Sequence, residues 1–135
     1  MNMNGRHREV MTILAVESDY EIRNILAHIG RDGLDVVFST TMEDTILFMS
    51  HNKIPDLIIL DMNLNYDAIE LAKYGRSIDK LLSIIFISKY PWIPLGVPLD
   101  RNTKFLKKPF TIATLLRAVR ELIIYDQPEE RSVSV

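Results

Sequence analysis

The run Pro55-Asp-Leu-Ile-Ile-Leu-Asp61 constrains the fold of this chain more than any other feature. Leu57, Ile58, Ile59 and Leu60 are consecutive and apolar, with no polar alternation between them. A strand of that pattern is buried on both faces, as in a parallel sheet with helices on either side. Pro55 keeps any preceding helix from running into it. Asp61 closes it, and a carboxylate at the carboxyl end of such a strand falls where open α/β sheets place their ligands.

Strands and helices alternate on both sides of this run. Met11–Val16 reads as a first strand, followed by Glu17, Ser18 and Asp19, of which Ser18 or Asp19 caps a helix carrying Ile22, Ile25, Leu26 and Ile29 at helical spacing. Gly30 and Gly33 supply stops. Val36–Phe38 reads as a short second strand. Thr40 or Thr41 caps a second helix with Met42, Ile46, Leu47 and Met49 on its apolar face. The pattern then predicts a short third helix over Ala68–Tyr74 ending near Gly75, a buried strand over Leu82–Ile87 and a more polar strand over Thr103–Lys107. Thr111 caps a last helix with Ile112, Leu115, Leu116, Val119, Leu122 and Ile123 on one face. Alternation of this kind gives a doubly wound α/β fold. Right-handed crossovers and five strands point to the flavodoxin-like order 2-1-3-4-5. The expected organisation is a frayed N-terminus over 1–10, one domain over 11–125 and a flexible tail over 126–135.

One segment breaks the rhythm. Between the fourth and fifth strands, Lys89 to Asn102 contains Pro91, Pro94, Pro98 and Gly96, which argue against a helix. It also carries Trp92, Ile93, Leu95, Val97 and Leu99. The expectation is that these side chains cover the sheet where a helix would have packed, with a partner-docking surface as the alternative.

Composition excludes several functions. Net charge is −2, which leaves no electrostatic footprint for nucleic acid or anionic lipid. The chain has no cysteine, so thiolate metal sites and cysteine nucleophiles are out. Met1–Glu9 lacks an apolar core, so no signal peptide is expected there, and no apolar run is long enough to span a bilayer. A soluble, cytoplasmic protein is the expectation.

Parallel strands gather their polar ends on one side. Glu17, Ser18 and Asp19 follow the first strand, Asp61 ends the third, Ser88 ends the fourth and Lys108 follows the fifth. Carboxylates suit a hard cation such as Mg²⁺, which takes one or two protein carboxylates and several waters. A lysine and a hydroxyl suit phosphoryl oxygens, and a carboxylate can form an acyl phosphate.

Four motifs carry a family resemblance: Ile13-Leu-Ala-Val-Glu-Ser-Asp19, Pro55-Asp-Leu-Ile-Ile-Leu-Asp61, Ile85-Phe-Ile-Ser88 and Phe105-Leu-Lys-Lys-Pro-Phe110. In their order and spacing the chain resembles a response regulator receiver domain of two-component signalling, from Met11 to Tyr125. The resemblance implies that Asp61 is the phospho-accepting aspartate, that Lys108 pairs with the phosphoryl group and that Ser88 follows it. It further implies that Phe105 stands for the switch aromatic, that Lys108–Pro109 corresponds to the family's cis bond, and that Mg²⁺ is bound by Glu17, Asp61 and the main chain of Asn63.

The chain departs from that pattern in three places. Ser18 stands where a second acid usually ligates the metal, with Asp19 one residue too far along and available as a cap. The turn Met62–Asp67 lacks the family's Pro and Gly. Lys89 replaces a small residue after Ser88, and the Pro-rich segment replaces the family's fourth helix. Two readings follow from the resemblance. One is a phosphoacceptor, not an enzyme, served by a sensor histidine kinase or a phosphotransfer protein and signalling by phosphorylation-dependent protein binding. The other is an atypical receiver that binds partners independently of phosphorylation. A flavodoxin-like cofactor binder is a third reading, disfavoured because no Gly-rich phosphate loop follows any strand.

Overall fold

The computed structural model describes residues 11–17, 19–29, 34–51, 54–63 and 67–125. The expectations for the two termini, for Ser18 and for the Gly30 and Gly33 stops fall outside these residues.

Five strands form one parallel sheet: β1 (Met11–Val16), β2 (Leu34–Ser39), β3 (Leu57–Asp61), β4 (Ser83–Ser88) and β5 (Thr103–Lys107), in the order β2-β1-β3-β4-β5. This is the doubly wound 2-1-3-4-5 arrangement. Four helices flank it: α1 (Tyr20–Ile29), α2 (Met42–His51), α3 (Ala68–Ile78) and α4 (Ile112–Tyr125).

The period-two alternation of the strands divides the core between two faces. Ile13, Ala15, Leu57, Ile59, Ile85 and Ile87 face α1 and α4, where Leu26, Leu115, Val119 and Leu122 meet them. Leu14, Val16, Ile58, Leu60, Ile84 and Phe86 face α2 and α3, meeting Met49, Leu71, Ala72 and Leu82. All five residues of β3 are buried, as its unbroken apolar run requires. Each fully buried aliphatic side chain of this kind contributes about 1.5–3 kcal/mol by leaving water.

The caps are local. Asp19 accepts from the amides of Glu21 and Ile22, Thr41 from Asp44, Asp67 from Glu70 and Thr111 from Thr114.

Three sequence expectations need correction. The third helix does not stop near Gly75 but continues to Ile78, with Asp79 as its C-cap. Gly75 is a contact residue: a Cβ there would lie 2.6 Å from Leu82 Cδ2. On α2, Leu47 points outward at 54% exposure, and Thr45 takes the buried place beside Met49. Thr45 is accommodated because its hydroxyl donates to the Thr41 carbonyl and bonds the Ser39 hydroxyl.

The third correction concerns residues 89–102. They form no helix, as the prolines require, but they do not cover the sheet. Only Val97 among their large apolar residues is buried; Trp92 is 59%, Leu95 97% and Leu99 75% exposed. The segment is anchored instead at a few points. Gly96 adopts φ +94°, a conformation that favours glycine, and packs close to Ile69. At its far end Arg76 donates to the Leu82 carbonyl at 2.7 Å, to the Asp100 carboxylate at 2.9 Å and to the Thr103 hydroxyl at 3.1 Å. One guanidinium thus ties the end of α3 to the entrances of β4 and β5. The hydrogen bond from Arg76 holds the Asp100 carboxyl below its ordinary value.

Candidate functional site

The register of the sheet brings the strand ends together. Val16 pairs with Leu60, Asp61 with Ile87, and Ser88 with Lys107. Glu17, Asp61, Ser88 and Lys108 therefore lie side by side across β1, β3, β4 and β5. Glu17 and Asp61 are fully buried and Ser88 nearly so.

Lys108 reaches in from the end of β5, and its Nζ lies 2.7 Å from Asp61 Oδ2. Its backbone amide donates to the Ser88 carbonyl at 2.7 Å, and the Lys108–Pro109 peptide bond is cis. The other oxygen of Asp61, Oδ1, accepts the Asn63 amide at 2.8 Å. Both oxygens of the buried carboxylate are thus engaged by donors, one of them charged.

Glu17 is the second acid of the site. Its Oε2 accepts the Asp19 amide at 2.8 Å, whereas its buried Oε1 has no donor. Burial pushes the Glu17 carboxyl up to about 8, helped by a hydrogen bond to Asp61 and by that residue's charge; the Asp19 amide and Lys108 oppose this incompletely. Two buried carboxyls beside one lysine carry more negative charge than the lysine balances. A proton held by Oε1 and shared with Asp61 restores the balance, and so does a hard cation. The donor types suit the cation: a Glu17 oxygen without a donor, a neighbouring carboxylate and a main-chain carbonyl at Asn63 are hard oxygen ligands, and Mg²⁺ takes one or two protein carboxylates and keeps several waters. Among the described residues no group of three or more His, Cys, Asp or Glu side chains is placed to hold a metal. Asp19 does not join the acids, because its carboxylate caps α1.

Ser88 Oγ accepts the Tyr90 amide at 3.1 Å. Asn63 Oδ1 accepts the Lys89 amide at 2.8 Å across 26 residues of sequence. Beside the site a cavity of about 330 Å³ is lined by Asp19, Ile22, Ile25, Lys89, Lys108 and Phe110. Phe105 lies on the other side of the sheet from α4, partly buried, its ring centroid 6.4 Å from that of Phe86.

The structure thus brings Glu17, Asp61, Asn63, Ser88 and Lys108 together and sets Phe105 apart, behind Phe86. Sequence reasoning missed the Asn63 side chain and Arg76. Neither has a local signal: the amide that the Asn63 side chain holds lies 26 residues away, and the Asp100 carboxylate that Arg76 pairs with lies 24 away.

No protein-family model and no curated protein matches the sequence. Solved structures match its shape. A response regulator receiver protein from Sinorhizobium medicae aligns with TM-score 0.72 at 24% identity, over 87% of this chain and 96% of its own. The chemotaxis response regulator CheY4 of Vibrio cholerae aligns with TM-score 0.67 at 24% identity, over 84% of this chain and 98% of its own. The BeF3-activated DrrB receiver domain aligns with TM-score 0.65 at 18% identity, over 84% of this chain and 97% of its own. Sheet order, helix placement and these superpositions agree that the chain has the fold of response regulator receiver domains.

Proposed function

We propose that this chain is a receiver module that accepts a phosphoryl group on Asp61 and signals by changing its affinity for a protein partner. The observation that carries this reading is the Lys108 ammonium held 2.7 Å from a fully buried Asp61 carboxylate. A structural ion pair has little reason to sit at the sheet edge where ligands bind, with a second buried acid beside it.

In the transfer, an Asp61 oxygen attacks the phosphorus of a donor such as a phosphohistidine. The new P–O bond forms as the donor P–N bond breaks, and the electron pair leaves with the imidazole nitrogen. Lys108 neutralises charge on the phosphoryl oxygens and holds the Asp61 carboxylate in place. Ser88 supplies a hydroxyl donor one residue beyond the position opposite Asp61. Glu17, Asp61 and the Asn63 carbonyl are the groups that would hold Mg²⁺, which supplies further stabilisation of the phosphoryl charge when bound. Phe105 is the candidate switch aromatic. The donor is a sensor histidine kinase or phosphotransfer protein, and the setting is the cytoplasm. Among the described residues no helix is long and apolar enough to cross a membrane.

A second reading is favoured by one observation, the exposed apolar segment after β4: an atypical receiver that binds its partner without phosphorylation. Intact-mass analysis separates the two. Incubation with a small phosphodonor and Mg²⁺ is expected to add one phosphoryl mass to the wild-type protein and none to Asp61→Asn. No adduct, together with no Mg²⁺ binding in a titration, would establish the atypical reading.

A further inference from the structure

Two adjacent amides at the end of β4 are already occupied by side-chain oxygens. Asn63 Oδ1 takes the Lys89 N–H at 2.8 Å, and Ser88 Oγ takes the Tyr90 N–H at 3.1 Å. Asn63 also touches the acceptor itself, through its own N–H to Asp61 Oδ1 at 2.8 Å. A single residue therefore bridges Asp61 and the start of the Pro-rich segment. Lys89 and Tyr90 lead directly into Trp92, whose ring stacks on Tyr90 with centroids 4.7 Å apart. Trp92 is 59% exposed and is the only tryptophan in the chain.

We infer that the Asn63 side chain is a competitive latch: it holds the Lys89 amide in the unmodified protein and must yield it when Asp61 carries a phosphoryl group. This rests on Asp61 being the phosphoryl acceptor. The register supports the competition, since Asp61 pairs with Ile87 and the Lys89 amide lies two residues further on. A phosphoryl group brings three strong acceptor oxygens into this space and displaces the amide from a neutral side-chain carbonyl. A serine hydroxyl accepts and donates at once, so Ser88 turns its proton toward the phosphoryl group while keeping the Tyr90 amide. Release at Lys89 and the pull through Tyr90 both act on the Tyr90–Trp92 stack. Asn63 is a positioning residue: its main-chain carbonyl, the candidate metal ligand, is unaffected by changes to its side chain.

The test is a titration of the full chain with beryllofluoride in saturating Mg²⁺, followed by Trp92 fluorescence, with ¹⁹F NMR to report occupancy at Asp61. In the wild-type protein, saturable binding is expected to shift the Trp92 emission. In Asn63→Ala the free protein already shows part of that shift. Its half-saturating beryllofluoride concentration falls about fivefold, the factor a net hydrogen bond is worth. Asn63→Asp retains an acceptor for the Lys89 amide, and its free-state emission is expected to match the wild type. Binding with the same half-saturation and the same free-state emission in wild type and Asn63→Ala overturns the latch while leaving Asp61 as acceptor. Beryllofluoride that leaves no ¹⁹F signal on the wild-type protein, and none on Asn63→Ala, overturns the acceptor reading and the competition with it.

Discussion

Replacing Glu17 by glutamine isolates the electrostatic cost of the site. Glu17 is fully buried beside Asp61, and its carboxyl is raised from 4.5 to about 8. The folded protein therefore holds a proton that the unfolded chain has released across that interval. Stability is highest below the unfolded value, falls as pH rises toward the folded value, and levels off beyond it. One proton difference gives a slope of about 1.4 kcal/mol per pH unit, so from about pH 5 to about pH 8 the metal-free protein sheds on the order of 3 kcal/mol. Glutamine has the same shape, does not titrate, and offers its amide to Asp61 in place of the shared proton. Urea unfolding in the presence of a chelator, repeated across this range, is the assay. The two proteins are expected to agree near about pH 5 and to separate steadily, the variant being more stable by on the order of 3 kcal/mol near about pH 8. On the proposed reading of the site, added Mg²⁺ is expected to close the gap by stabilising the wild type, since a ligand bound only by the folded state adds stability by mass action. Parallel pH profiles would refute the reasoning, because they would mean that Glu17 stays ionised in the folded protein with Lys108 as sufficient counter-charge.

Lys108→Met leaves the buried Asp61 without its cation and is expected to destabilise the metal-free protein by about 3 kcal/mol near neutral pH, measured by urea unfolding. Arg76→Met removes the clamp on β4 and β5 and is expected to cost about 2 kcal/mol by the same measurement. Because the Asp100 carboxyl is lowered from 3.8 by Arg76, that contribution is present above the unfolded value and lost as pH falls through the lower folded value; the difference between wild type and variant should narrow in acid. Gly75→Ala gains about 1 kcal/mol of helix preference but drives a Cβ to 2.6 Å from the buried Leu82, and a net loss of about 1–2 kcal/mol is expected in thermal or urea unfolding.

The strands and the sheet order were legible from residues alone. Leu57–Leu60 has no polar face, so it had to lie inside a sheet covered on both sides, and the crossover rule left little freedom in strand order. The juxtaposition of Glu17, Asp61, Ser88 and Lys108 was legible for the same reason: in a parallel sheet, sequence position at a strand end fixes position in space. The surroundings of these residues were not legible. Nothing local distinguishes Gly75 as a helix stop from Gly75 as a contact with Leu82, or shows that the apolar side chains of 92–99 stay largely in water while Val97 alone is buried. Which Glu17 oxygen lacks a donor, which amide Asn63 holds, and that Arg76 reaches Asp100 and Thr103 all depend on side-chain paths between segments distant in sequence. Periodicity and strand ends encode backbone topology because every residue of an element reports on it. A single polar contact across 24 or 26 residues is specified only once the packed core has fixed both partners in space.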